Sequence, residues 1–252
     1  MPPSEKTALV TGCSSGIGKA LCLYFKEQGI RVIGVSRHAP DFPLDHWICA
    51  DLVRSEDREK ILQETSLFTG GKLDLLINNA GMGSYATWEE LSEEDLRKVF
   101  ELDFFAVVLL TRKLLPLLEN SGKGTVINIS SSASRLWVPC MGAYCAVKSA
   151  VSMFSDSLRP ELASRGIHVM DVRPGQISTG FSSRACGCRR PPDAPGAKSN
   201  ARGLARAVYR GWRSSGRNVL YYPWWIGMGI FFIRNVIPGI YDRISRKLWK
   251  LK

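Results

Sequence analysis

Tyr144 and Lys148 stand four residues apart in Ala-Tyr-Cys-Ala-Val-Lys, and Ser131 lies thirteen residues before the tyrosine. Four residues is about one helical turn, so a helix here sets the ammonium on the same face as the phenol and favours its ionised form. A phenol with a free pKa of about 10 then serves as a proton donor or acceptor near neutrality. The Ser131 hydroxyl is spaced to hold the oxygen of a carbonyl or alcohol between itself and the tyrosine. Proton transfer at that oxygen is what a reversible hydride transfer at the adjoining carbon requires. Ser131 belongs to a serine run, 130–132, and Tyr-x-x-x-Lys pairs occur often on solvated helices, so the chemistry depends on a scaffold that brings the three together.

That scaffold is readable along the chain. Strand-like apolar runs at 7–10, 31–35, 47–49 and 73–77 alternate with amphipathic helical stretches at 16–28 and 55–68. Ser92, with Asp95 three residues on, predicts the capped start of a long helix to about Leu118. A strand ending at Ser131, a helix from Tyr144 to Ala163, a strand over 168–172, a helix over 201–212 and a last strand over 218–222 complete the alternation. The pattern predicts an α/β fold: one Rossmann-like domain, a parallel sheet with helices on both faces, followed by an apolar and basic C-terminal extension. At 252 residues one core is expected. Its range is 1–222, with a mobile substrate loop at about 180–198, and 223–252 is the extension.

Between the first strand and first helix lies Thr11-Gly12-Cys13-Ser14-Ser15-Gly16-Ile17-Gly18. A glycine-rich turn in that place lets backbone N–H groups and a helix N-terminus meet a pyrophosphate. With Asp51-Leu52, Asn78-Asn79-Ala80-Gly81, Ser131, Tyr144/Lys148 and Pro174-Gly175-Gln176-Ile177-Ser178-Thr179 in that order, residues 5 to 182 resemble the short-chain dehydrogenase/reductase family, in its branch of about 250 residues. The resemblance implies catalytic roles for Ser131, Tyr144 and Lys148, the lysine also holding the nicotinamide ribose. It implies cofactor contacts from Gly12, Ser14, Ser15, Gly16, Ile17 and Gly18, from Asp51 and Leu52 beside the adenine, and from Asn79, Ala80 and Gly81. Pro174, Gly175, Ile177 and Thr179 complete that set, Thr179 near the nicotinamide amide. The glycine-rich and Tyr-Cys-Ala-x-Lys strings are similar to those of 17β-hydroxysteroid and retinol dehydrogenases, which hints at a lipophilic substrate. A homodimer or homotetramer is also implied.

After the second strand come Ser36 and Arg37, with no acid until Asp41. A cation there suits a ribose 2′-phosphate, and an acid would suit a 2′-hydroxyl, so NADP(H) is expected over NAD(H). Fourteen positions separate Arg37 from Asp51, and Pro40 and Pro43 lie between them. The helix usual at this place in the family is therefore expected to be a loop. Asp103 stands where the family usually has an asparagine that holds a water in a proton relay. It is expected either to keep that relay, shifting the titration of Tyr144 and Lys148, or simply to bind local backbone groups.

The net charge of +11 is uneven. Residues 1–183 carry 19 Lys and Arg against 21 Asp and Glu, a balance of −2, whereas 184–252 carry 15 against 2, a balance of +13. Such a one-sided field points to an anionic partner. The aromatic residues form an apolar block and do not alternate with cations as a base-stacking groove requires, which argues against nucleic acid. The sixteen uncharged residues 218–233 fall short of the roughly 20 that span a bilayer. A Trp-rich stretch between arginines suits an anchor on an anionic membrane surface, and closure of the substrate pocket is the other reading. The seven cysteines include an odd member and have no paired metal-ligand spacing, and the N-terminus has no apolar leader core. A cytoplasmic protein, peripheral on a membrane and without metal, is expected. The alternative to an enzyme is a catalytically weak NADP(H)-binding sensor acting through its basic tail.

Overall fold

The alternating elements resolve into seven strands: β1 (Thr7–Thr11), β2 (Arg31–Ser36), β3 (His46–Cys49), β4 (Leu75–Asn78), β5 (Thr125–Ile129), β6 (His168–Pro174) and β7 (Val219–Tyr222). They come from a computed structural model that describes residues 6–191, 199–214 and 216–250. All pair in parallel, in the order β3-β2-β1-β4-β5-β6-β7, with Ala8 of β1 in register with Val32 on one side and Leu75 on the other. Neighbours β1 and β4 are not consecutive in sequence, and the chain direction across the sheet reverses between them. That reversal opens a crevice at the carboxyl ends of the strands.

Two apolar faces follow from the two-residue period of the strands. Ala8, Val10, Leu75 and Ile77 point to one side, where α1 (Gly16–Glu27) and α6 (Ala201–Arg213) cover them with Leu21, Phe25, Leu204 and Val208. Leu9, Ile33 and Leu76 point to the other, under α2 (Ser55–Thr69), α4 (Ala106–Asn120) and α5 (Gly142–Ala163). Each fully buried side chain of this size contributes about 1.5–3 kcal/mol. On α6 the apolar stripe is inward and Arg202, Arg206, Arg210 and Arg213 are exposed, Arg202 forking onto Glu27 at 2.7 and 2.8 Å. Buried Asp171 of β6 accepts from Ser130, from Ser152 at 2.8 Å and from Arg173 at 2.7 Å, and Arg173 reaches Tyr221 on β7.

Residues 37–45 form a loop, as the prolines predict, and Phe42 and Leu44 cover the sheet face there. The long helix expected from Ser92 is instead α3 (Glu93–Phe100), a five-residue π turn (Glu101–Phe105) and α4. Ser92 caps it by accepting from the Asp95 N–H at 3.1 Å. β5 ends at Ile129, two residues short of the expectation, because Ser131 caps the short 3₁₀ turn Ser132–Ser134. The extension forms two helices, α7 (Trp225–Asn235) and α8 (Pro238–Leu248), the proline opening the second. The later part of the expected substrate loop, 192–198, lies outside the described residues.

Candidate active site

The glycine-rich turn is held by its neighbours. Gly12 has φ +67°, and a Cβ there would lie 2.9 Å from Ala80 Cα, so only glycine fits. Gly18 is not on the cleft wall; a Cβ on it would run into the Gly12 carbonyl, and its absence lets α1 start against the turn. Thr11 Oγ1 accepts from the N–H groups of Asn79 and Ala80 at 2.9 and 3.0 Å, while the Asn79 amide donates to Thr11 O at 2.8 Å. The turns after β1 and β4 are thus locked together at the reversal of the sheet. They open into a cleft of about 1170 Å³ whose wall includes Gly12, Ser14, Ser15, Gly16 and Ile17. Asn79, Ala80, Gly81, Pro174, Gly175, Ile177 and Thr179 also line it. The first amides of α1 receive no side-chain cap, so this cradle suits the diphosphate of a dinucleotide.

Beyond the ends of β2 and β3, Ser36, Arg37, Asp51 and Leu52 all line the cleft. Ser36 uses its hydroxyl within the loop. Its Oγ donates to His38 O at 2.7 Å and accepts from Trp47 Nε1 at 3.1 Å, so it shapes the turn. Arg37 is exposed beside it. Asp51 Oδ1 accepts from the Val53 N–H at 3.3 Å, while the Asp51 N–H donates to Asp57.

At the other end α5 presents Tyr144 and Lys148 one turn apart, with Lys148 Nζ 5.7 Å from the centre of the tyrosine ring. Ser131 meets the phenol with its hydroxyl and accepts from the Ala133 N–H at 3.1 Å. All three line the cleft. Asp103 does not: the π turn re-aims it inward, where it is fully buried. Its Oδ1 accepts from the Met82 N–H at 2.8 Å, and its Oδ2 lies 2.9 Å from Lys148 Nζ. A Cβ on Gly81 would stand 2.7 Å from Oδ2, which is why glycine precedes Met82. Asp103 therefore bears on this pair by its contact with Lys148 and by its charge near Tyr144.

The electrostatics pull in two directions. Burial pushes the Tyr144 phenol above its ordinary pKa; Lys148 and the Ser131 hydroxyl pull it down, and Asp103 adds to the push. Lys148 alone would favour the phenolate, but its charge is shared with Asp103. Burial works against the ammonium, yet Asp103, Tyr144 and Asp171 together hold it above the usual lysine value. The phenol keeps its proton at neutral pH.

The short chain dehydrogenase family matches residues 6–186. The chain belongs to this family. Among its relatives, an NADPH-dependent 3-dehydrocapnine reductase of Ornithobacterium rhinotracheale is 38% identical over 71% of this chain and 68% of its own. An NADPH-dependent 1-acyldihydroxyacetone phosphate reductase of Schizosaccharomyces pombe is 35% identical over 73% of this chain and 64% of its own. A short-chain dehydrogenase from Streptomyces avermitilis superposes with a TM-score of 0.78, 27% identity and coverage of 97% and 98%. This short-chain dehydrogenase is an oxidoreductase of the CH–OH/C=O type, and its cradle fits a nicotinamide dinucleotide.

The C-terminal segment lines the cleft of the dehydrogenase, as the pocket-closing reading of it expects, and brings side chains that the sequence did not single out. Met141, Phe181, Tyr241, Ile244, Leu248 and Trp249 form an apolar wall beyond Tyr144. The Phe181 ring centre is 5.7 Å from that of Tyr144. α8 is pinned by Tyr241 OH donating to Trp137 O at 2.8 Å and by Trp137 Nε1 donating to Asp242 at 2.7 Å. The apolar spacing of α8 could have marked it as a packed helix, but nothing local says that it returns to the cleft. All seven cysteines are unpaired, and among the described residues no helix is long and apolar enough to cross a membrane.

Proposed function

We propose that this chain is an NADP(H)-dependent reductase of a ketone or aldehyde on a lipophilic substrate, acting at the surface of an anionic membrane. The observation that carries the reading is one cleft joining the diphosphate cradle, the Ser131–Tyr144–Lys148 set and the apolar wall from α8. When bound, the dinucleotide supplies the hydride. Ser131 donates to the substrate oxygen and orients it. Tyr144, which keeps its proton near neutrality, delivers that proton to the oxygen as the carbonyl becomes an alcohol. Lys148 holds the developing phenolate. Arg37 supports NADPH over NADH by its charge.

Steroid, retinoid and long-chain lipid ketones all fit an apolar wall. The names of the two reductases above, one acting on an acyl ester, favour the lipid class. Membrane contact is supported by α7 and its N-cap Trp224: Trp224, Met228 and Phe231 are 72%, 66% and 69% exposed. Arg234, Arg243, Lys247 and Lys250 flank them, and Asp242 is the one acid in 223–252. Exposed apolar residues bordered by cations suit anionic lipid. Ile244 and Leu248 are both exposed and part of the cleft wall, so the apolar surface runs into the site. A peripheral protein facing the cytoplasm, as a dimer or tetramer, completes the proposal. The test is NADPH consumption with a steroid ketone, retinal and a 3-keto long-chain lipid, each presented in anionic vesicles. Turnover of the lipid ketone is expected. Tight NADPH binding without turnover of any carbonyl would instead favour the sensor.

A further inference from the structure

Ser15 is the N-cap of α1 and has extended backbone angles, the position where a serine hydroxyl ordinarily accepts from an amide of the first turn. It makes no such bond. Its Oγ accepts instead from Nη1 of Arg184, at 2.6 Å and 169 positions along the chain. Arg184 ends the 3₁₀ turn Ser182–Arg184, and its Nε donates to Gly180 O at 3.1 Å. Its Nη2 lies 3.9 Å from where a Cβ on Gly16 would stand. Among the described residues the guanidinium meets no carboxylate, unlike Arg189 five residues later, which forks onto Glu90 at 2.6 and 2.8 Å.

Two sources of positive potential therefore converge on one stretch of the cleft wall: the uncapped amides at the start of α1, which carry the dipole of a twelve-residue helix, and a guanidinium without a counter-ion among the described residues. Between Arg37 at the adenine end and Tyr144 at the reacting end, that stretch is where a diphosphate belongs. We infer that Arg184 is a ligand of the cofactor's pyrophosphate, acting beside the first amides of α1. This rests on the dinucleotide reading of the cleft. The same turn carries Ser182, whose hydroxyl meets the Tyr85 hydroxyl at 3.1 Å, and follows Phe181 beside Tyr144. One anionic contact thereby fastens the wall of the substrate end to the cofactor.

The discriminating variant is Arg184→Gln, which keeps an amide donor for Ser15 but removes the charge. Calorimetric titration with NADPH, NADH and adenosine 2′-monophosphate separates the contributions. The expected result is a loss of about 10- to 100-fold for both dinucleotides, the worth of one charge-assisted hydrogen bond, with their affinity ratio unchanged. Adenosine 2′-monophosphate, which has no diphosphate, should bind the variant as it binds the wild type. Wild-type dinucleotide affinity in Arg184→Gln would reduce Arg184 to a loop tether and overturn the inference while leaving the cofactor reading intact. A wild-type protein that bound neither dinucleotide would remove both.

Discussion

Asp103 Oδ2 lies 2.9 Å from Lys148 Nζ, beneath Gly81 and sealed from solvent. The lysine that steadies the tyrosine is thus itself held by a carboxylate. Burial and Asp103 keep the Tyr144 phenol protonated against the pull of Lys148 and Ser131.

Asp103→Asn should lower the phenol pKa, because one group that raises it is gone. Reduction needs the protonated phenol and is supported below that pKa, so the alkaline limb of the reductive pH–rate profile should move to lower pH. Asp103 is a positioning residue, and the profile is the measurement that shows it. An unmoved limb would confine its role to the Met82 backbone.

Tyr144→Phe removes the proton donor and leaves the ring that packs on Phe181. Turnover should fall by about 10²- to 10⁴-fold, the usual contribution of a general acid. NADPH affinity, read by calorimetry, should change little, and comparable turnover in the variant would place the proton source elsewhere.

Arg37→Ala should weaken NADPH by about 10- to 100-fold and leave NADH nearly unchanged. The contrast with Arg184→Gln, which should weaken both alike, separates the 2′-phosphate from the diphosphate. Equal losses for the two cofactors would remove Arg37 from the specificity argument.

Gly81→Ala sets a methyl 2.7 Å from a buried carboxylate oxygen. The overpacking should cost about 1–3 kcal/mol in thermal or denaturant unfolding. It should also lower turnover by displacing Asp103 from Lys148. A variant as stable as the wild type would mean that the π turn yields freely.

Phe231→Ser with Phe232→Ser touches side chains that are mostly in solvent. Stability should stay within about 0.5 kcal/mol per site, and sedimentation with anionic vesicles should fall sharply. Undiminished sedimentation would separate α7 from membrane contact and leave the surface to another partner.

Much of this protein was determined by the chain read alone, where the constraint is local. The two-residue and helical periods placed the strands and most helices, Pro40 and Pro43 turned 37–45 into a loop, and the glycines of the first turn marked the cofactor cradle. The spacing of Ser131, Tyr144 and Lys148 was legible because a helix and an adjacent strand end set it. Tertiary structure alone decided what depends on distant partners. The π turn that buries Asp103 has no periodic signature, and burial of Tyr144, with Asp103 adding to it, outweighs the pull of Lys148 on the phenol. The Ser36 hydroxyl is taken by His38 and by Trp47, eleven positions away. Arg184 meets Ser15 across 169 positions, and α8 returns to wall the substrate end. In each case a side chain's chemistry follows from which charges and surfaces fold against it, and that placement is not written in neighbouring residues.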